Sequence, residues 1–411
     1  MFKNKTKLIA FLFIFLILAD VKFAQAFGNW YVFGDSLSDN GNMPKLTDYP
    51  LPPSPYVGNR FSNGPVWAED FPIISHFSFK PSNDFAVGGA FTGPLSAEGL
   101  NGLPGIFNNL ENTAWSSFAP LFTTPQLPSF LTEIQQFAVE SGRFKSSDLV
   151  GVWIGANNFF VTASQAKALQ QSIASNNPSY AINSGISSTL LNQINSVYAQ
   201  TGDVSKAMSI LVGNAVQTAV SQVAQGITEM SMLGAKQIVV LTLPPIQDTP
   251  SAIQGGAQAQ ALADEYTQLY NIYLQQALSS IHNQTGLNII TVNVEMLFNK
   301  VISNPKVYGI VNTTSEAMLN TNDPNYTHYL FWDGVHPTAY VHSIIAQYAS
   351  SAVKNFYSLT AQKRKIEANA DSGSIMGFNY NISTFALGAD YWINPNFLLG
   401  GRIAFFCRLE R

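Results

Sequence analysis

Cysteine is nearly absent from this sequence, with one residue, Cys407, close to the C-terminus. A disulfide within the chain is therefore impossible, and stability has to come from a packed core. Neither a cysteine-rich zinc site nor a cysteine nucleophile is expected from a single Cys so near the end. Charge is also scarce: Asp, Glu, Lys and Arg make up 11% of 411 residues, with a net charge of −4. Nothing in such a chain supplies the basic groove that phosphates need, so nucleic acid is not expected as a partner. Disorder is not expected either, because aromatic residues reach 12%. Beyond the N-terminus, no apolar run is long enough to cross a membrane as a helix.

The N-terminus is different. Lys3, Lys5 and Lys7 precede the apolar run Leu8 to Ala19, and Ala24-Gln25-Ala26 supplies small residues at the positions a signal peptidase requires. Residues 1–26 are expected to be a Sec-type signal peptide cleaved after Ala26.

From residue 27 onward the chain has the rhythm of an α/β domain. "WYVF" (30–33), "LVGVWI" (149–154), "QIVVLTL" (237–243) and "NIITVNV" (288–294) are short, nearly continuous apolar runs. This is the pattern of strands covered on both faces. Helical spacing appears between them. Ile210, Leu211, Ala215, Ala219, Val223, Ile227 and Met230 mark a helix over 207–233, which Gly234 can end. Leu262, Tyr266, Leu269, Tyr273 and Leu274 mark one over 257–281; Val341, Ile344, Ile345 and Tyr348 mark one over 338–356. Alternating strands and helices predict a doubly wound, mostly parallel sheet. Its reactive crevice lies beyond the carboxyl ends of the strands. Residues 91–130, rich in Gly, Pro, Phe and Asn, read as a long excursion, either a substrate rim or an ordinary surface loop.

After Phe356 the chain turns polar, a linker or helix, and then adopts a period of two. Phe385, Leu387, Ala389, Tyr391 and Ile393 alternate with small or polar residues, Asn394-Pro395-Asn396 makes a turn, and Phe397, Leu399, Ile403 and Phe405 resume the alternation. That is the pattern of a hairpin from an outer-membrane barrel, although two strands cannot close a barrel alone. The expected organisation is a signal peptide (1–26), an α/β domain (27–356), a linker (357–377) and the incomplete start of a β-barrel (378–411).

Chemistry is expected first at "FGDSLSDNGN" (33–42), where a strand stops at Gly34-Asp35-Ser36-Leu37. On those residues alone, Ser36 as an N-cap is the plainer reading. The G-x-S-x-G elbow does not fit, since Ser38 stands where its second Gly belongs. A base is offered by "FWDGVHPT" (331–338). Asp333 precedes His336 by three residues, a spacing that can set a carboxylate against Nδ1 and leave Nε2 free to accept a hydroxyl proton; a plain surface turn would look the same. In this reading Gly334 lets the backbone turn, and Pro337 suits the start of the next helix. "FAVGGA" (85–90) and "IGANNFF" (154–160) offer backbone N–H groups and an Asn amide as oxyanion donors, each a weak signal alone.

Taken together and in this order, "FGDSLSDNGN", "NRFSNGPVWAE" (59–69), "FAVGGA", "IGANN", "LPP" (243–245) and "DGVHPT" resemble the GDSL (SGNH) family of serine esterases and lipases over residues 30–356. The resemblance implies a flavodoxin-like SGNH hydrolase fold. It implies Ser36 as nucleophile, His336 as base, Asp333 as its orienter, and an oxyanion hole made of the Ser36 N–H, the Gly89 N–H and the Asn157 amide, with Gly88 second to Gly89. It implies no metal and no organic cofactor, and a lipid or small ester as substrate, with contact to a membrane surface among the expected partners. One departure is visible: Asn158 stands where the family commonly has Asp, which is expected to affect loop geometry or rate. Phe378 to Phe405 resembles the start of an autotransporter β-domain, known to occur behind GDSL esterases, and "CRLER" (407–411) breaks the strand pattern as a truncated end would. The expected protein is an exported carboxylic ester hydrolase, extracellular or outer-membrane associated, and periplasmic if the barrel segment cannot insert. A complete barrel would be needed for the outer membrane itself. Phospholipase A, lysophospholipase and acyltransferase chemistry are alternatives on the same residues, and a non-catalytic surface passenger is the alternative outside enzymes.

Overall fold

The computed structural model describes residues 27–47, 51–76, 78–94 and 128–371. The expected signal peptide, most of the 91–130 excursion, and the expected barrel segment with Cys407 lie outside the described residues.

In chain order the principal elements are β1 (Trp30–Gly34), α1 (Trp67–Ile74), α2 (Phe130–Glu140), β2 (Leu149–Trp153), α3 (Ala156–Ser175), α4 (Ser188–Thr201), α5 (Val204–Met232), β3 (Gln237–Leu241), α6 (Gly256–Thr285), β4 (Asn288–Val292), α7 (Val294–Ser303), β5 (Asn312–Glu316), β6 (Tyr329–Phe331) and α8 (Ala339–Asp371). The first four strands form one parallel sheet in the order β1-β2-β3-β4. On the free side of β1, the extended segment Asp84–Val87 adds a partial fifth position: the Phe85 N–H donates to the Val32 carbonyl and the Val87 N–H to the Gly34 carbonyl. The chain thus reverses direction across the sheet at β1, which opens a crevice at the carboxyl ends of β1 and β2.

Strand alternation sorts the apolar residues into two cores. Tyr31, Phe33, Val150, Val152, Ile238 and Val240 face one side and pack on α2, α5 and α6. Trp30, Val32, Leu149, Val239, Leu241, Ile290 and Val292 face the other and pack on α1, α7 and α8. Burial of both faces explains why the strands read as unbroken apolar runs. Tight sorting has a steric condition at Gly151, where a Cβ would stand 2.3 Å from the Trp30 ring. The indole uses that space and donates to the Ala68 carbonyl at 2.9 Å, tying β1 to α1.

The helices expected from periodicity are present, with two differences. On α6 the buried face is Ala263, Tyr266, Tyr270, Leu274, Leu278 and Ile281, whereas Tyr273 points out. The last helix continues past Phe356 to Asp371, through part of the stretch read as linker or helix. Helices α3 and α4, with the first turns of α5, build a small satellite core around Leu169, Ile194 and Leu211. Among the described residues no helix is long and apolar enough to cross a membrane.

Candidate active site

Beyond β1 the backbone cannot continue straight. Gly34 adopts φ +150°, and a Cβ there would meet the Trp153 carbonyl oxygen at 2.1 Å. Its N–H is bound by the Glu133 carboxyl group of α2 at 2.9 Å. The chain then turns over Asp35–Asp39, with the Ser38 and Asp39 N–H groups donating to the Asp35 carbonyl. The capping role in this turn belongs to Asp35, whose Oδ1 accepts the Leu37 N–H at 3.0 Å. The Ser36 hydroxyl is directed elsewhere: its Oγ lies 2.8 Å from His336 Nε2.

His336 Nδ1 lies 2.7 Å from Asp333 Oδ2. Asp333 Oδ1 accepts the N–H groups of Val335 (2.9 Å) and His336 (2.7 Å). Burial pushes the Asp333 carboxyl up, but the charge and hydrogen bonds of His336, together with the Tyr56 hydroxyl, outweigh it and leave the group below its ordinary value. An ionised Asp333 can only accept, so Nδ1 carries the ring proton and Nε2 is left to accept from Ser36. Ser36, Asp333 and His336 are all buried, so this relay is shielded from bulk water.

The turn that carries the base is held from outside. β5 and β6 pair in parallel and deliver the chain to Trp332. The Trp332 N–H then donates to the His336 carbonyl, and Phe331 bridges to Pro337. Pro337 therefore belongs to the turn, and Thr338 precedes the start of α8. Ser62 Oγ donates to the Pro337 carbonyl (2.9 Å), Asn63 Oδ1 accepts the Ala339 N–H at the head of α8 (2.7 Å), and the Phe61 ring lies 5.3 Å from the imidazole, centre to centre. Gly334 is required for space: a Cβ would sit 2.2 Å from Ser251 Oγ, on the short helix Pro250–Gln254. The backbone bends through it, as expected, with a φ outside the left-handed region.

The expected oxyanion donors converge on the same crevice, at the ends of β1, the Asp84–Val87 segment and β2. Gly88 is not available, because its N–H donates to Asp39 Oδ2 at 2.7 Å. A Cβ at Gly88 would also stand 2.1 Å from the Phe61 ring. Gly89 adopts φ +79°, and neither its N–H nor that of Ser36 has a hydrogen-bond partner among the described residues. Asn157 sits in the first turn of α3 and commits one Nδ2 hydrogen to the Ala90 carbonyl at 2.9 Å, while the second has no partner among the described residues. The loop before it is pinned from α6: Tyr270 donates to the Ile154 carbonyl (2.8 Å), and Tyr266 to the Gly155 carbonyl (3.3 Å).

Asn158 forms a two-way bridge with Thr92. Its Oδ1 accepts the Thr92 N–H and its Nδ2 donates to Thr92 Oγ1, both at 3.1 Å, while that hydroxyl donates to Gln222 Oε1. The two asparagines thus clasp one segment at alternate positions, Ala90 and Thr92.

Two features escaped the sequence reading. Residues 56–63 are a clamp on the base turn, for which the "NRFSNGPVWAE" block was the one available signal. The other is a set of buried carboxyl groups, Asp35, Asp39, Asp84 and Glu133, beneath the end of β1. Burial lifts Asp35 to about 7 and Asp39 to about 6, and raises Asp84 and Glu133 well above their ordinary values. Asp35 Oδ2, Asp84 Oδ2 and Glu133 Oε1 have no hydrogen-bond partner among the described residues, which suits protonated acids better than ions.

A family model described as GDSL-like Lipase/Acylhydrolase matches residues 31–349. The chain is 26% identical to the phosphatidylcholine-sterol acyltransferase of Aeromonas hydrophila, over 82% of this chain and 93% of that protein. It is 25% identical to Lipase 1 of Photorhabdus luminescens over 95% of this chain, and spans 63% of that relative's length. A GDSL esterase/lipase of Arabidopsis thaliana is 23% identical over 78% of this chain and 80% of its own.

Proposed function

The chain belongs to the GDSL-like lipase/acylhydrolase family and is a carboxylic ester hydrolase, and from that premise we propose that Ser36, His336 and Asp333 carry the reaction through an acyl-enzyme. Ser36 Oγ attacks the ester carbonyl as His336 Nε2 removes its proton. Asp333 holds the imidazole in the required tautomer and stabilises the imidazolium. The Ser36 N–H, the Gly89 N–H and the second Asn157 amide hydrogen receive the oxyanion. His336 then returns the proton to the leaving alkoxide, and a water activated by the same imidazole releases the acyl group. The observation that carries this reading is the unbroken line of contacts from Ser36 Oγ through His336 to Asp333, at 2.8 and 2.7 Å. Hydrolysis of p-nitrophenyl esters by the full chain tests it: activity should vanish in Ser36→Ala, and full activity in that variant would sink the mechanism.

The substrate in this proposal is lipid-like or a short acyl ester. A second reading, transfer of the acyl group from a phospholipid to an alcohol acceptor, is supported by similarity over most of the chain to a protein named as a phosphatidylcholine-sterol acyltransferase. Products formed from phosphatidylcholine vesicles with and without a sterol separate the two: both reactions leave lysophosphatidylcholine, but transfer predicts a sterol ester beside it and hydrolysis predicts free fatty acid.

Export also belongs to the proposal. Its support is the basic-apolar-small pattern of residues 1–26 and the alternation of residues 378–405. Mass analysis of material outside the cytoplasm should find a chain that begins at Phe27; a product that retains Met1 would contradict the leader.

A further inference from the structure

We propose that Tyr56 is a positioning residue for the relay, acting through Asp333, an inference that rests on the Ser36–His336–Asp333 mechanism. Asp333 Oδ2 accepts two hydrogen bonds at 2.7 Å, one from His336 Nδ1 and one from the Tyr56 hydroxyl. With the Val335 and His336 N–H groups on Oδ1, the carboxylate has four donors, which fills its accepting capacity. Three of those donors belong to the turn itself. The fourth comes from a segment 277 positions earlier in the chain.

Packing alone does not call for a hydroxyl at this position. The Tyr56 ring stands edge-on to Phe61 and Trp332, with centroids 6.2 and 6.3 Å away, and a phenylalanine ring would make the same contacts. A buried hydroxyl is costly unless it is bonded, and this one has the Asp333 carboxylate as its partner. Burial and the neighbouring carboxylate raise the phenol far above its ordinary range, so Tyr56 stays protonated and donates at every stage of turnover. The Tyr56 bond fixes the rotation of the carboxylate, so that the remaining Oδ2 lone pair faces Nδ1. It also draws charge from Oδ2, so that the proton of the imidazolium formed during attack stays on nitrogen. Phe61, which contacts both Tyr56 and the imidazole, makes one aromatic wall behind donor and base.

The test is the pH dependence of kcat and KM for a p-nitrophenyl ester, measured on the full chain with Tyr56→Phe. Loss of a hydrogen bond to a charged group should lower kcat about tenfold while KM stays within about twofold. The acidic limb of kcat/KM should move to higher pH, because Oδ2 with one donor fewer holds an imidazolium more strongly. Site-specific replacement of Tyr56 by 3-fluorotyrosine keeps the ring nearly unchanged and gives a stronger donor, so the limb should move to lower pH; this variant decides the matter should the phenylalanine variant fold poorly. A limb that does not move in the fluorinated protein overturns the role of Tyr56, provided Ser36→Ala is inactive. If Ser36→Ala is active, the mechanism beneath the inference has failed instead.

Discussion

Ser36 stands at the end of a strand buried between two helix layers, whereas His336 stands in a turn outside the main sheet, held by side chains from residues 56–63. Their atoms meet at 2.8 Å, but the supports differ in kind. On the Ser36 side the position is set by the register of β1 with β2, by Gly34 wedged against the Trp153 carbonyl, and by Glu133 on the Gly34 N–H. On the His336 side it is set by a few polar bonds: Ser62 to Pro337, Asn63 to Ala339 and Tyr56 to Asp333. Damage to the first support should therefore appear as lost stability, and damage to the second as lost rate.

The sharpest separation comes from Asp333→Asn. It keeps the shape of the turn but supports the wrong imidazole tautomer, so kcat should fall by about 10⁴ with a nearly unchanged Tm; a large drop in Tm would show that the turn is structural after all. Gly34→Ala should do the reverse, costing about 3 kcal/mol or more from backbone strain and overlap, read in a denaturant or thermal melt. Asn157→Ala removes one oxyanion donor and should lower kcat by about 10²–10³ with little change in KM. Ser62→Ala breaks one buried bond of the clamp and should cost about 1 kcal/mol, with activity reduced severalfold. The smallest effect concerns the buried acids under β1. Their folded values are raised, so the native state binds more protons than the unfolded chain between the ordinary carboxylate value and about 7. Stability from this group is complete at the acidic end of that window and is lost as pH rises through it. Tm should thus decline from about pH 5 to about pH 8, less steeply in Glu133→Gln; a rise over that window would contradict the assignment.

The same contrast marks what was legible in the sequence. The four strands of the parallel sheet were visible because short Val, Ile and Leu runs suit strands covered on both faces, and α5, α6 and α8 because their apolar faces repeat; β5 and β6, polar or very short, were not read. Asp333 and His336 were legible as a pair, because a D-x-x-H turn binds its own backbone within four residues; Ser36 alone read as a cap, and its role came from the family resemblance. Gly89 and Asn157 came from the family resemblance; in the structure Asp39 occupies the Gly88 N–H. The clamp was not legible. Tyr56, Ser62 and Asn63 follow no period, and their partners lie some 275 positions away. Glu133 and Asp84 looked like any surface acid, because an acid on an amphipathic helix or in a loop shows its burial in three dimensions alone. Asn158 was flagged for its departure from the family pattern, and its bridge to Thr92 and Gln222 is a contact that an amide completes by donating and accepting at once.

The central claim is that Ser36 is acylated during ester cleavage. Intact-protein mass spectrometry of the full chain after brief exposure to a fluorophosphonate or an activated ester measures this directly. One adduct per chain is predicted, located on Ser36 and absent from Ser36→Ala and from unfolded protein. An unmodified chain that still hydrolyses the ester, or an equal adduct in Ser36→Ala, would contradict it.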